Sequence, residues 1–406
     1  MKTEVAITGV GLITALGDQP SEVHRARCEG RSAVRMLDFP ERDAKLLGAS
    51  LTDFDARKYL GDGNLRPLNH VGQLAISASQ GALETACVSR EERDVHEMDL
   101  VLGTMFCSAH TITQFDRKTQ ISGPKYAMPL EFANTVINAA SGQTAIWHNL
   151  RGTTMTISAG TLSGLRALEY AARRIALGWS DQFLVGGVDE HCFETSWAFQ
   201  QSGHASDGSE EASVSPFGTS RRGFAPGEGA GFLVLESGTS ARRRGSTILG
   251  TVLGWGSGYC PAHESETLRA ATALEAIATA LSMADCDSAR IGYLSCSANG
   301  SIKGDEIEAR VLREVLGDRV GKVPVAVPAE SFGNALAPSG IFQAVEALET
   351  ARQGVLPPFC GARNGNLGAA ELGLSPEPKE CAFDRALVFS CGLDGSVSAV
   401  VLGINS

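Results

Sequence analysis

The sequence lacks a surplus of basic residues, a dense set of cysteines and a long apolar run. Its 35 lysines and arginines are outnumbered by 46 aspartates and glutamates, which gives a formal net charge of −11 at pH 7. Such a chain has no excess of cations to neutralise nucleic-acid phosphates or anionic lipid headgroups. No apolar run reaches the roughly 20 residues that span a bilayer. We therefore expect a cytoplasmic protein that binds neither nucleic acid nor membrane.

Cysteine and histidine are too sparse for a disulfide scaffold or a recognisable metal site. There are 10 cysteines and 8 histidines in 406 residues, and no Cys-x-x-Cys pair occurs. No cluster of these residues has the spacing typical of zinc ligands. The cysteines are therefore predicted to be reduced and mostly buried, and no metal ion is predicted.

Apolar runs rich in β-formers alternate with helical patterns, which predicts an α/β protein with parallel strands and crossover helices. Strands are predicted at 4–10, 99–106, 153–158, 181–190, 231–237, 247–256, 291–297, 322–328, 385–391 and 396–404. Helices are predicted at 70–88, 162–177, 266–284 and 340–353. Segments 156–178 and 325–354 each contain a strand, a turn of small residues and an Ala/Leu helix closed by glycine. This similarity predicts two duplicated halves, 1–245 and 246–406.

Three motifs are specific when taken together. They are TGVGLITALG at 8–17, SPFGTSRRGFAPGEGAGFLVLE at 215–236 and GDEIEARVLREVLG at 304–317. In this order and spacing, and with the segment 134–164, they resemble the β-ketoacyl synthases, the condensing enzymes of fatty-acid and polyketide assembly. The resemblance covers nearly the whole chain. It implies a thiolase-like fold, a five-layered αβαβα body of two duplicated halves that forms a dimer.

The resemblance also locates the positions that carry catalysis in that family, which are one cysteine and two histidines. The cysteine position falls on Thr161, within TISAGTLSG, and the two histidine positions fall on Ser297 and Asn334. A family lysine is replaced as well, around Ala329. Residues 264–406 contain no histidine, so no shift of register restores one. Serine and asparagine cannot supply the charged donor that would stabilise an enolate, and Thr161 is expected to cap the following helix.

A ketosynthase scaffold without these three residues resembles the chain-length factor, the ketosynthase β-subunit of type II polyketide synthases. The resemblance implies pairing with a catalytically complete ketosynthase and substrates carried on the phosphopantetheine arm of an acyl carrier protein, with no cofactor of its own. The subunit would line a tunnel that limits product length. The tunnel residues implied are Phe106, His110, Ile112, Phe115 and Phe132. Members for aromatic polyketides carry Gln at the position of Thr161, which indicates a divergent branch such as those that make reduced or polyene chains.

Two other functions stay open at this point. One is an enzyme that reuses the pocket for acyl transfer or cyclisation, with Thr161 or a displaced cysteine as nucleophile. The other is a purely structural partner without influence on the product. The candidate cysteines lie at the ends of predicted strands, but none is expected to be followed by a helix start with small residues: Cys107, Cys296 and Cys391. The basic run 242–244 is interpreted as a solvated turn, with docking of a carrier protein or partner as the alternative.

Overall fold

The main sheet has ten strands and consists of two five-stranded halves of the same strand order, each called a sheet below, in a computed structural model that describes residues 3–95, 97–209, 214–361 and 372–404. The strands of the N-terminal half, numbered along the chain, are β1 (Val5–Thr14), β2 (Arg35–Phe39), β3 (Ala44–Gly48), β4 (Asp99–Gly103), β5 (Thr154–Ile157), β6 (Gln182–Asp189) and β7 (Gly229–Ser237). Those of the C-terminal half are β8 (Gly250–Tyr259), β9 (Tyr293–Ser295), β10 (Val325–Ala326), β11 (Val355–Leu356), β12 (Lys379–Glu380), β13 (Arg385–Cys391) and β14 (Ser396–Ile404).

The two sheets repeat one topology. The N-terminal order is β5-β4-β6-β7-β1 and the C-terminal order is β10-β9-β13-β14-β8, so both run third, second, fourth, fifth, first along the chain. In both, the second strand pairs in parallel with the third and the fourth. The sheets meet where β1 pairs with β8 at Ala6–Thr251 and Ile7–Gly250. The repeated order confirms the predicted duplication, while the boundary after residue 245 stays a prediction.

Helices cover both sheets. They are α1 (Pro20–Cys28), α2 (Arg57–Leu60), α3 (His70–Thr85), α4 (Arg90–Val95), α5 (Ala109–Ser122), α6 (Pro129–Phe132), α7 (Ala139–His148), α8 (Ser163–Ala176), α9 (Phe193–Gln201), α10 (Gly238–Arg244), α11 (Glu266–Met283), α12 (Ile302–Leu316), α13 (Ala329–Phe332) and α14 (Ser339–Gln353). None of the described helices is both long and apolar enough to cross a membrane.

The helices and sheets stack in five layers. Helices α3 and α7 lie outside the N-terminal sheet, α8 and α14 lie between the sheets, and α11 and α12 lie outside the C-terminal sheet. Each gap holds its own apolar cluster, so the free energy of folding comes from three separate cores rather than one. This arrangement confirms the predicted α/β, thiolase-like αβαβα fold.

Glycines allow the first strand of each half to touch its outer helix. In each half, two glycines with one residue between them face the backbone of two helical alanines. Gly9 and Gly11 face Ala82 and Ala78, respectively. Gly254 and Gly256 face Ala280 and Ala276. A Cβ atom at Gly11 would overlap the carbonyl oxygen of Ala78. The glycines of the first motif therefore serve packing, and their repetition in β8 is a second sign of duplication.

Most of the predicted strands and helices are present, and many of them are shorter than predicted at one or both ends. The strand predicted at 322–328 is reduced to β10, because the flanking prolines Pro324 and Pro328 cannot donate to a ladder. The strand predicted at 99–106 ends at Gly103, where the chain turns towards α5. The interpretation of 242–244 as a solvated turn is wrong, because these arginines form the last turn of α10.

Gly11→Ala is expected to lower the free energy of unfolding by about 1–3 kcal/mol, because the new methyl group must push α3 away from β1. Urea unfolding of the full chain measures this change. Gly142→Ala on α7 is the matched control, since its methyl group meets nothing within 4 Å. The control should be neutral or stabilising by about 0.5–1 kcal/mol. Equal losses in both variants would contradict the packing role of Gly11.

Candidate functional site

The three positions predicted at the family's catalytic centre converge on one pocket between the halves. Thr161, Ser297 and Asn334 line it together with Ala329, around an empty volume of about 510 Å³. Thr161 follows β5 and Ser297 follows β9, while Ala329 comes shortly after β10. The pocket therefore lies at the carboxyl ends of parallel strands from both sheets, which is where open α/β sheets bind ligands.

No charged side chain belongs to the lining of this pocket among the described residues. The lining consists of apolar, hydroxyl, amide and thiol side chains, and the thiols of Cys296 and Cys391 are the only titratable groups that described residues contribute to it. Burial raises the pKa of both thiols well above the ordinary value. Consequently the lining offers neither a general base nor a thiolate at neutral pH. No group of three described His, Cys, Asp or Glu side chains could hold a metal ion.

The turn that carries Thr161 is held by its neighbours. Gly160 has φ +61°, which permits the sharp change of direction between β5 and α8. The Ser163 hydroxyl accepts a hydrogen bond from the Ala159 amide at 2.9 Å and donates to the Gly160 carbonyl at 2.6 Å. The prediction that Thr161 caps the helix is wrong, because α8 begins at Ser163 with Leu162 at its N-cap position.

Ser297 connects the pocket to a buried carboxyl group on α12. Its hydroxyl oxygen accepts a hydrogen bond from the Cys391 amide at 3.0 Å, and its proton is donated to Glu308. Burial raises the pKa of Glu308 to about 8, and the nearby Asp305 adds to the rise. At neutral pH Glu308 is therefore mostly protonated, and the uncharged serine is a suitable partner for it.

Asn334 is fixed by its backbone and its side chain. Its amide donates to the Ala225 carbonyl at 2.7 Å, and its carbonyl accepts from the Gly227 amide at 2.8 Å. Its side-chain oxygen accepts from the Leu336 amide at 3.1 Å. Leu336 has φ +62°, a conformation that costs energy in a residue with a Cβ atom. Asn334 therefore stabilises a strained turn against the loop of the second motif.

Two buried aspartates that the sequence analysis did not single out hold the loops around the pocket. Asp305 accepts hydrogen bonds from the amides of Phe217, Asn299 and Gly300 at 2.7–3.1 Å, which ties the second motif to the third. Burial raises the pKa of Asp305 to about 6, although these amides favour its charged form. The sequence did contain a signal for this site. Asp305 and Glu308 are three residues apart on α12 and share its buried face.

Asp189, at the end of β6, joins the two halves. Its carboxylate accepts hydrogen bonds from the Thr104 hydroxyl at 2.8 Å and from the amides of Met105 and Phe106 at 2.9–3.1 Å. It also accepts from the amide of Ala337 at 3.1 Å, in the turn that follows Asn334. Burial raises its pKa to about 6. This single carboxylate positions the start of α5 relative to the pocket.

Of the candidate cysteines, only Cys107 lies outside the lining of the pocket. It occupies a turn with φ +52° and is followed almost at once by α5, so the expectation that no helix start follows it is wrong. Its side chain is buried, and burial raises the pKa of its thiol. Cys107 is therefore an unreactive packing residue despite its position at a strand-to-helix turn.

The predicted tunnel residues fall into four places. The ring of Phe106 lies 5.9 Å from that of Phe199, and the ring of Phe115 lies 5.8 Å from that of Phe132. Ile112 is exposed on α5. The side chain of His110 contacts α9, with its Nδ1 atom 3.3 Å from a carboxylate oxygen of Glu194.

An apolar path connects the pocket with Phe106. Leu393, which lines the pocket, packs with Met105 against a cluster of Phe199, Ala205, Phe224 and Leu336. The ring of Phe106 contacts Phe199, a member of this cluster. The path therefore runs from the Thr161 pocket to Phe106, which precedes the start of α5 at Ala109.

A large apolar surface surrounds α5 and α6, and we call it the α5–α6 face. Helix α5 has no buried residue. The most exposed apolar side chains of this face and of α7 beside it are Ile121 (75%), Tyr126 (64%), Phe132 (58%) and Ile146 (82%). Strand β5, which pairs with β4 alone, forms the edge of the sheet. Exposed apolar area next to an unpaired strand edge is typical of an interaction surface.

Comparison with known proteins assigns the whole sequence to one group. Residues 2–241 match the family model for the N-terminal domain of β-ketoacyl synthase, and residues 249–363 match the model for its C-terminal domain. The chain is 31% identical to "Actinorhodin polyketide putative beta-ketoacyl synthase 2" of Streptomyces coelicolor, over 98% of both chains. It is 26% identical to "3-oxoacyl-[acyl-carrier-protein] synthase 2" of Coxiella burnetii, over 99% of this chain and 98% of the relative.

Solved structures of similar fold include assemblies with more than one component. "The ishigamide ketosynthase/chain length factor" has a TM-score of 0.89 and 22% identity, with full coverage of both chains. The AntDE:AntF complex, a type II PKS acyl-carrier protein in complex with its ketosynthase bound to the hexaketide, has a TM-score of 0.87 and 21% identity, again with full coverage. At 22% and 21% sequence identity, the similarity to these two structures establishes a shared fold.

The raised pKa of Glu308 predicts a pH-dependent stability. Between about pH 4.5 and pH 8, the carboxyl group ionises in the unfolded chain but keeps its proton in the folded one, so stability falls as the pH rises. In the unchanged chain the free energy of unfolding should fall between pH 5 and pH 8, and Glu308→Gln should abolish roughly 2–4 kcal/mol of that fall. Urea unfolding at a series of pH values measures the free energy of unfolding of both chains.

The matched control for this experiment is Glu314→Gln, an exposed acid on the same helix that pairs with Arg310. Its pH profile should follow that of the unchanged chain. If Glu308→Gln also keeps the full slope, Glu308 is not protonated in the folded state.

Proposed function

The chain belongs to the β-ketoacyl synthase family, and on this premise we propose that it is the chain-length factor of a type II polyketide synthase. It pairs with a catalytically complete ketosynthase and shapes the tunnel in which the growing chain extends. The observation that carries the proposal is the pocket itself. The positions Thr161, Ser297 and Asn334 converge there, yet its described lining has no charged side chain.

Such a pocket does not support condensation. Decarboxylation of a malonyl thioester leaves an enolate, whose negative charge needs donors held ready for it. Ser297 already donates its proton to Glu308, and the amide of Cys391 donates to Ser297. The side-chain oxygen of Asn334 accepts from the Leu336 amide. The polar groups at these positions therefore serve the scaffold.

The same features weigh against an acyltransferase or cyclase that uses Thr161 or a cysteine. A threonine hydroxyl needs an adjacent base to attack a thioester, and none belongs to the described lining. The thiols of Cys296 and Cys391 are held protonated by burial. Acyl groups would instead reach the partner's nucleophile on the phosphopantetheine arm of an acyl carrier protein, and this subunit would need no cofactor of its own.

The ketosynthase partner would cover the α5–α6 face and the free edge of β5. This surface exposes large apolar side chains to water in the isolated chain. One protein of similar fold is a ketosynthase/chain length factor, and another is a ketosynthase in complex with an acyl carrier protein. Both examples support this kind of assembly for the present chain.

Tunnel residues would follow the apolar path from the pocket. Phe106 lies at its end, and Phe115 with Phe132 lies on the α5–α6 face. Phe106 lies in the turn before α5, whereas Phe115 lies within that helix, so the two rings are at different positions along the wall. Rings at different depths would stop chains of different lengths. Ile112 lies between them, and His110 contributes at the rim where it meets Glu194.

Reconstitution tests the proposal directly. The chain alone, supplied with malonyl-loaded carrier protein, should form no carbon–carbon bond. With a catalytically complete partner ketosynthase, the chain should form a one-to-one complex and yield polyketide. Thr161→Cys should not restore condensation by the chain alone, because the pocket still lacks a base and charged donors. Size-exclusion chromatography and mass spectrometry of carrier-bound products give both results.

Two controls make the reconstitution decisive. Inactivating the partner's nucleophile should abolish product while the complex persists. Product formed by this chain with the partner absent, or covalent acylation of Thr161 in intact-mass spectra, would refute a non-catalytic role.

Product length gives an independent test. Phe115→Ala should open space beside Phe132 and shift products of the complex to longer chains, while the condensation rate stays that of the partner. Phe106→Ala should act likewise at the shallower position. Ile121→Ala, on the same helix but without an aromatic contact, is the matched control and should change complex affinity without changing length. If the distribution of product lengths is the same in all variants, the chain only stabilises its partner and does not determine product length.

A further inference from the structure

A second, polar cleft opens at the opposite end of the N-terminal sheet. It is bordered by Asp99 and Gln182, the first residues of β4 and β6, and by Thr153 just before β5. Its empty volume is about 1100 Å³. The Thr161 pocket lies at the carboxyl ends of the parallel strands, whereas this cleft lies at their amino ends. The two are therefore separate sites.

Two arginines of the cleft have guanidinium groups that form no ion pair with a described residue. In the basic run on α10, Arg242 pairs with Glu4 at 2.6 Å and Arg244 pairs with Glu236 and Glu92 at 3.0 Å. Arg243, between them, borders the cleft without such a partner, and so does Arg174 at the end of α8. The Nε atom of Arg174 is buried and makes no hydrogen bond with any residue that the structure describes. Unused buried donors are costly, which favours a bound acceptor.

An exposed tryptophan stands beside these cations. Trp179 borders the cleft and is 63% exposed. The guanidinium carbon of Arg174 lies 5.0 Å from the centre of its ring, so a cation–π contact holds the two side chains together. The remaining indole surface is free to stack on a planar ring.

Carboxylates on the cleft wall make a bare anion a poor ligand. Asp99 accepts a hydrogen bond from the Thr153 amide at 2.6 Å, and Asp181 accepts one from the Ser237 hydroxyl at 2.8 Å. Glu97 is the third carboxylate of the lining, and none of the three forms a salt bridge with Arg174 or Arg243. Each carboxylate has further acceptor sites, and these suit hydroxyl donors. The cleft therefore fits a molecule that carries both phosphates and hydroxyl groups.

We propose that this cleft binds a nucleoside diphosphate. Arg174 and Arg243 hold the phosphates, the carboxylates of Asp99 and Asp181 accept hydrogen bonds from the ribose hydroxyls, and Trp179 stacks on the base. Guanidinium groups match phosphate geometry with paired donors. The proposal is independent of the role in chain-length control, because it uses no residue of the Thr161 pocket or of the α5–α6 face.

Titration calorimetry of the full chain with ADP, in complex with its ketosynthase if that is needed for solubility, tests the site. We expect saturable one-to-one binding that weakens with added salt. Inorganic pyrophosphate and adenosine should each bind at least tenfold more weakly than ADP. Arg243→Gln should weaken ADP binding at least tenfold, and Trp179→Ala should weaken ADP binding but not pyrophosphate binding.

Arg173→Gln, the neighbour of Arg174 that does not border the cleft, is the matched control and should bind ADP normally. Because Arg243 is exposed, its substitution does not threaten folding, and thermal melts verify this for every variant. Absence of saturable ADP binding would overturn the proposal. Equal affinity for pyrophosphate and ADP would overturn the nucleotide assignment, and undiminished binding by Arg243→Gln would place the ligand elsewhere.

Discussion

The buried carboxylate of Asp189 is the interaction on which the geometry of the pocket depends. It accepts amide hydrogen bonds from Met105 and Phe106, before α5, and from Ala337 in the other half. Because a buried carboxylate without donors is strongly destabilising, all of these amides must stay in place in the folded chain. The start of α5 is thereby fixed against the turn that carries Asn334. None of these contacts requires a catalytic side chain, so the shape of the pocket is independent of chemistry at its centre.

The three sequence motifs contribute packing contacts and hydrogen bonds that hold the backbone around the pocket. The first supplies the close approach of β1 to α3 through Gly9 and Gly11. The second and third are joined by the amides that Asp305 binds. The motifs can therefore hold this backbone in place in a chain whose pocket, among its described residues, carries no charge.

Sequence reasoning succeeded where a residue pattern maps directly onto local structure. Periodicity and bounding glycines located the long strands and helices, and the family resemblance singled out Thr161, Ser297 and Asn334, which line one cavity. It failed where the deciding partner is distant along the chain. The helix start after Cys107 and the N-terminus of α8 beyond Thr161 depend on Asp189 and Ser163, whose contacts no spacing reveals. The protonated state of Glu308 likewise follows from burial, which only the packed structure supplies.

The turn at Asn334 has an evolutionary consequence. A histidine there would forfeit the hydrogen bond that the amide of the strained Leu336 donates to the Asn334 side chain, and a histidine at 297 would remove the hydrogen bond that Ser297 donates to Glu308. A lysine at 329 would introduce a charge into a wall whose described residues carry none. Each of these substitutions, taken singly, is expected to lower stability. Under the proposed non-catalytic role, none of them alone would gain activity, because the other groups would still be missing, so the stability cost would oppose any stepwise return to a condensing enzyme.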